Sequence, residues 1–218
     1  YIKNNKFKDQ RPLIIGGSRG LGEISAKIIA SGGGSPIITY NSNKKIAKKL
    51  KSEISSSNFK CDLIKLSIAK NGNFNSKILK KLNYDSIYYF ATPLIFKRKN
   101  NNFNEKIYKE FFNIYCKPLK KLVLLNRAKN PFIFFFPSTE FIFKKNIFLK
   151  EYIKAKSQGE KILLNLSKRY KFIPIIKRLP KILTDQNNTI FSGNPQPGFN
   201  IILNIIKELE NKISSFKN

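Results

Sequence analysis

The sequence predicts an α/β protein: a doubly wound parallel sheet of six or seven strands, covered by helices on both faces in three layers. Two observations carry that expectation. Short apolar runs alternate with longer amphipathic stretches along the 218 residues, the rhythm of strand, crossover helix and strand. The short runs are continuous rather than alternating, as strands buried on both faces must be.

Taken in order, strands are expected at Leu13 to Ile15, Ile37 to Tyr40, Phe59 to Cys61, Ser86 to Ala91, Phe132 to Phe136 and Phe172 to Lys177. Helical spacing of apolar residues places helices at about Leu21 to Ala30, Lys44 to Ile54, Ser76 to Leu82, Phe103 to Ala128 and Glu151 to Tyr170. A last helix is expected over Asn200 to Ile213. No internal repeat is visible, and Asn71 to Asn75 and Asn100 to Asn104 read as exposed polar turns. The length suits a single domain spanning residues 1–218 with a substantial core.

Composition removes several chemistries. With no His, neither a Ser-His-Asp nor a Cys-His nucleophile can be assembled, and histidine-ligated zinc is excluded. Cys61 and Cys116 are too few for a disulfide scaffold or a four-cysteine metal site, and both read as small core residues. No metal is expected. Lys and Arg number 42 against 13 Asp and Glu, a formal charge of +29. That excess points to nucleic acid or an anionic surface, or equally to A/T-rich codons, because Asn, Ile and Phe are enriched with Lys. The lysines are dispersed and the aromatic residues concentrate in the expected strands, so specific nucleic-acid binding is the weaker reading. No apolar run approaches the ~20 residues of a membrane span, and a cytoplasmic location is expected. The chain opens on Tyr1 rather than Met, without a secretory pattern, which suits a domain excised from a longer polypeptide.

The segment Gly16-Gly17-Ser18-Arg19-Gly20-Leu21-Gly22 runs from the first strand straight into a helix. There Gly16 permits the tight turn, Gly20 lets backbone approach a pyrophosphate, and Gly22 lets helix and strand pack closely. Phosphate then sits on the unpaired N–H groups at the helix start, favoured by the helix dipole. The Gly-x-x-x-Gly-x-Gly spacing resembles the short-chain dehydrogenase/reductase family, with its Rossmann-like fold, although the family's Thr before the first Gly is Ile15 here.

After the second strand, Tyr40, Asn41 and Ser42 are followed by Asn43, Lys44 and Lys45, with no acid to accept the ribose hydroxyls of NAD or to repel a 2′-phosphate. Arg19 stands where NADP-preferring members of the family often carry a basic residue, so NADP(H) is favoured over NAD(H). Asp62, read as following the third strand, matches the family's Asp beside the adenine, and a plain helix cap fits it nearly as well.

Tyr152 and Lys156 are four apart and so lie on one helix face. A neighbouring ammonium stabilises a phenolate, which makes the phenol a usable general acid for carbonyl reduction. Ser138 is expected just past the carboxyl end of the fifth strand, where a hydroxyl can orient a substrate oxygen. Asn113, with Pro118 following, lies in the preceding helix. Asn113, Ser138, Tyr152 and Lys156 resemble the family's Asn-Ser-Tyr-Lys tetrad, in which the Asn holds a kinked helix and a water that relays protons to the Lys.

The resemblance covers nearly the whole chain, with four departures. Phe90-Ala91-Thr92-Pro93 replaces the family's Asn-Asn-Ala-Gly, though the small Ala91 still lets a cofactor pass. Lys181 replaces the Gly of a Pro-Gly…Thr loop, leaving Thr184 as a candidate contact to the nicotinamide carboxamide or the pyrophosphate. The stretch Asp185 to Pro197 is short for a substrate lid, and the usual seventh strand with its Asp-Gly-Gly ending is missing. A tetramer built on that strand is put in doubt, and a homodimer through the long helices is left open.

The resemblance implies an NADPH-dependent ketoreductase acting on a small-molecule carbonyl or a 3-oxoacyl group carried by an acidic acyl-carrier protein, as in fatty-acid or polyketide assembly. The alternatives are a non-catalytic NAD(P)-binding sensor or scaffold of the same fold and, less favoured, a basic nucleic-acid-binding protein.

Overall fold

The computed structural model describes residues 6–95, 102–127, 132–143, 149–180, 182 and 198–217, with side chains as far as residue 212. Six strands, β1 (Pro12–Ile15), β2 (Ile37–Tyr40), β3 (Asp62–Lys65), β4 (Ser86–Tyr89), β5 (Phe132–Thr139) and β6 (Phe172–Leu179), form one sheet in the order β3-β2-β1-β4-β5-β6. The helices are α1 (Gly20–Ser31), α2 (Lys44–Ser56), α3 (Ser76–Lys80), α4 (Glu105–Tyr115), α5 (Lys117–Leu125), α6 (Lys150–Ser167) and α7 (Gly198–Lys217). This is the expected α/β class, with six strands among the described residues.

The chain divides into two compact units. The first holds residues 1–67, 83–90 and 182–218. Its strands pair in parallel, Leu13 with Ile37 and with Ile87, and Ile38 with Leu63. Their side chains Leu13, Ile14, Ile37, Ile38 and Ile87 are fully buried, as the continuous apolar runs require. α7 packs on α1 and contributes Ile202, Ile206 and Leu209 to that core.

The second unit holds residues 68–82 and 91–181. β5 and β6 pair from Phe132 with Phe172 to Thr139 with Leu179, and the first pair stacks its rings 5.3 Å apart. β6 ends the strand order, which is where Pro174 can be accommodated without the loss of a central ladder bond. α4, α5 and α6 pack together and bury Phe111, Leu119, Leu122, Ala155 and Leu163.

Several boundaries shift, with β5 and β6 running on to Thr139 and Leu179, and two elements depart further. Phe59 to Cys61 is not a strand. Asn58 takes a left-handed φ of 59°, and the amides of Asn58 and Phe59 bond the carbonyls of Ser55 and Ile54. Those bonds are the Schellman closure of α2, so the apolar pair Phe59 and Cys61 belongs to its exit and β3 starts only at Asp62. The long helix expected from Phe103 to Ala128 is broken at Cys116, whose φ and ψ are −123° and −57°. Pro118 lacks an N–H and crowds the carbonyl four residues back, so the helix restarts as α5 with Pro118 in its first turn.

Candidate active site

In the first unit, β1 leads into α1 through the glycine turn. Gly16 has φ 78° and Gly20 φ 57°, values a side chain would strain. The close approach is at Gly22, where a Cβ would lie 2.5 Å from the Gly16 carbonyl oxygen and 2.8 Å from Gly17 Cα. The turn is tied to β2 by Thr39, which is fully buried. Its Oγ1 accepts from the Gly16 amide and its carbonyl from the Gly17 amide, both at 3.1 Å. Thr39 supplies a hydroxyl to the turn in a chain that carries Ile15 where the resemblance expected Thr. Its inward position becomes visible only with the pairing of β1 and β2.

Arg19, the residue before α1, is exposed and makes no side-chain cap, which leaves the first amides of the helix without a partner from it. Ser18 and Leu21 are half-buried beside it. Asn41 and Ser42 are exposed after β2, whereas Tyr40 is buried within the strand. Asn43 spends its side-chain Oδ1 capping α2, where it accepts from the Ile46 amide.

Asp62 is corrected by the structure. It opens β3 opposite Ile37, the first residue of β2, and so lies at the amino end of these parallel strands, away from the glycine turn at the carboxyl end of β1. There it pairs with Arg11 at 2.5 Å, and Arg11 also donates to the Asn83 carbonyl at 2.8 Å. The residue directly after β3 is the buried Leu66, with the exposed Ser67 next. A correct reading of the α2 exit would have shown this.

In the second unit, α6 carries Tyr152 and Lys156 on the face turned to α4. The Tyr152 ring meets Phe111 and Tyr115 edge-on, each at 5.8 Å. Part of the residue stays open to solvent. Burial of the phenol pushes its pKa up to about 12, and the neighbouring Thr139 hydroxyl works against that rise. Thr139 ends β5, and its Oγ1 also accepts from the Phe141 amide at 3.3 Å.

Lys156 is 6% exposed, with Nζ donating to the Pro137 carbonyl at 2.7 Å. Its ammonium lies 4.1 Å from the Tyr115 ring centroid, 4.6 Å from that of Phe136 and 6.0 Å from that of Tyr152. Desolvation brings its pKa down to about 7, opposed by Cys116 and Glu160.

Ser138 stands inside β5 rather than past its end. Its Oγ is buried with no hydrogen bond of ordinary geometry, near enough to the Glu160 carboxylate to help keep that acid ionised. Thr139, which the sequence reading passed over, is the hydroxyl brought to Tyr152. The signal available was the paired hydroxyls of Ser138 and Thr139, whose side chains must point to opposite faces of a strand.

Asn113 is buried on α4, three residues before the break at Cys116. Its Nδ2 donates to the Lys70 carbonyl at 2.7 Å, while Oδ1 is buried with no hydrogen-bond partner among the described residues. Ala91 is half-buried and follows β4 closely, and Tyr115 is tied to Thr92 through their hydroxyls. Thr184 and the stretch Asp185 to Pro197 lie outside the described residues. Among the described residues no cluster of His, Cys, Asp and Glu could hold a metal, and no helix is long and apolar enough to cross a membrane.

No family model and no curated protein matches this chain. Solved structures do. A short-chain dehydrogenase from Burkholderia cenocepacia J2315 in complex with NADP is 14% identical with a TM-score of 0.77, over 94% of this chain and 92% of that one. The angucycline C-6 ketoreductase LanV with bound NADP is 12% identical at 0.77, over 96% and 91%. A 3-oxoacyl (acyl-carrier-protein) reductase from Agrobacterium tumefaciens C58 with NADP bound is 11% identical at 0.74, over 90% and 85%. At these identities the likeness is one of architecture: the chain has the fold of short-chain dehydrogenases and ketoreductases.

Proposed function

We propose that this protein is an NADPH-dependent reductase that converts a ketone to a secondary alcohol. One observation carries the reading: a phenol, Tyr152, lies beside the Thr139 hydroxyl and is followed one helical turn later by the buried amine of Lys156. The glycine turn fits a dinucleotide, because Gly22 leaves no room for a Cβ and the start of α1 has no side-chain cap. Gly16, Ser18, Arg19, Gly20, Leu21 and Gly22 would hold the pyrophosphate. Arg19 with Asn41 and Ser42 would take the 2′-phosphate through charge and hydroxyl or amide donors. When bound, NADPH supplies a hydride to the carbonyl carbon.

The chain's own residues manage the oxygen and the proton. Thr139 Oγ1 and Tyr152 Oη orient the carbonyl oxygen, the role that Ser138 was expected to fill. Tyr152 Oη gives its proton to that oxygen as the carbon–hydrogen bond forms, which completes the alcohol. The Lys156 ammonium lowers the cost of the phenolate left behind. Asn113, whose Oδ1 has no hydrogen-bond partner among the described residues, holds a water through which Tyr152 recovers its proton.

The substrate we infer is a 3-oxoacyl thioester presented by an acidic acyl-carrier protein. The formal charge of +29 and the likeness in fold to a 3-oxoacyl (acyl-carrier-protein) reductase support that class. The test is NADPH oxidation with a panel of 3-oxoacyl thioesters and simple ketones. Turnover is expected. Binding of NADPH without turnover of any member would favour the sensor reading instead.

A further inference from the structure

Glu160 is an acid in an unusual place. In a chain with 13 acidic residues against 42 basic ones, it is 6% exposed, on α6 one turn beyond Lys156 and two beyond Tyr152. A carboxylate at that depth persists only with a partner. Arg178 on β6 provides it as a two-point fork, Nε to Oε1 at 3.0 Å and Nη2 to Oε2 at 2.6 Å. The guanidinium is held from its other side by the Phe143 ring, 4.4 Å from the centroid.

We propose that Glu160, held by Arg178 one helical turn from Lys156, is a positioning residue that acts through that buried amine, supplying the negative charge that favours its ammonium for the chemistry at Tyr152. This rests on the role given to Lys156 above. The groups that face Lys156 are Cys116 and Tyr115 from α4 and its break, Tyr152 and Glu160 from α6, and the Phe136 ring and Pro137 carbonyl from β5. From β6, Arg178 acts on it through Glu160. Of these, Cys116 and Glu160 favour the charged amine. Burial pushes the Cys116 thiol up to about 12, so it stays neutral at pH 7 and Glu160 supplies the full negative charge. Burial works against the charge of Glu160, but the Arg178 fork, with the nearby Ser138 hydroxyl and Lys156, outweighs it and holds the acid below the usual carboxylate range.

The test is an NMR titration of isotope-labelled lysine side chains in the full chain, with the Lys156 signal assigned by its loss in Lys156→Arg. Relative to wild type, Glu160→Gln should move the Lys156 midpoint down by about one pH unit, because it removes the negative charge and leaves Arg178 unpaired. Glu160→Asp should restore most of that shift. Arg178→Gln should leave the midpoint unchanged or move it up, an opposite sign that loosened packing would not produce. Where Glu160→Gln fails to fold, the Arg178→Gln titration decides, and a downward shift there overturns the proposal. An unchanged midpoint in folded Glu160→Gln overturns it as well. The titration needs no turnover, so a protein inactive on every ketone would defeat the functional reading and leave this result standing.

Discussion

The Thr139 hydroxyl lies beside the phenol of Tyr152, while its neighbour Ser138 buries a hydroxyl near Glu160 that has no hydrogen-bond partner among the described residues. The two hydroxyls therefore make opposite predictions. Thr139→Ala should lower kcat by about a hundredfold, in the range for loss of one oxygen-orienting donor. Ser138→Ala should leave kcat close to wild type. Steady-state kinetics with NADPH and a ketone would check both, and the reverse ranking would return the role to Ser138.

The close approach at Gly22 predicts a double loss. Gly22→Ala forces a Cβ against the Gly16 carbonyl, so urea unfolding should show a destabilisation of about 1–3 kcal/mol. NADPH affinity should fall with it, since the same shift moves the turn that would carry the pyrophosphate. Unchanged affinity in a folded variant would remove the turn from the binding site.

Asp62 at the amino end of β3 predicts a contrast with the glycine turn. Asp62→Asn should leave the NADPH dissociation constant unchanged and cost less than about 1 kcal/mol, because its ion pair with Arg11 is half-exposed. Arg11→Ala should cost more, since the bond to the Asn83 carbonyl is lost as well. Weakened NADPH binding in Asp62→Asn would restore the adenine contact.

The buried amine makes stability depend on pH. Burial brings the pKa of the Lys156 amine down to about 7 from its usual 10.5. Between those values the unfolded chain holds the proton and the folded one does not, so this group makes stability rise with pH across that window. Tyr152 acts in the opposite sense. With its pKa raised from 10 to about 12, its contribution is complete below pH 10 and is lost as pH rises through 12. Lys156→Met should flatten the rise between about pH 7 and pH 10 relative to wild type in urea melts at stepped pH. An identical slope in both proteins would show that Lys156 is not desolvated.

Much of this was legible before any coordinates. The continuous Ile and Phe runs of β1, β2, β4 and β5 are buried on both faces, so they carry a strand signal that needs no partner to interpret. The glycine turn is equally local, and Tyr152 and Lys156 share a helix face by spacing alone. What misled depended on geometry between elements. Phe59 and Cys61 look like strand residues until Asn58 turns the end of α2 back on itself. That error moved β3 by several residues and carried Asp62 to the wrong end of the sheet. Which of Ser138 and Thr139 meets Tyr152 depends on where β5 ends and on the packing of α6 beside it. Glu160 gave no signal, because nothing local says that Arg178 will reach it from another element.

The most direct measurement compares wild type with Tyr152→Phe in NADPH binding and in NADPH oxidation by a ketone on the same samples. Loss of the phenol hydroxyl removes the proton donor and leaves the glycine turn intact. The expected result is an unchanged dissociation constant with kcat reduced by about a hundredfold or more. Turnover by Tyr152→Phe at the wild-type rate would contradict the account, because the proton would then come from a group other than the one Thr139 and Lys156 surround.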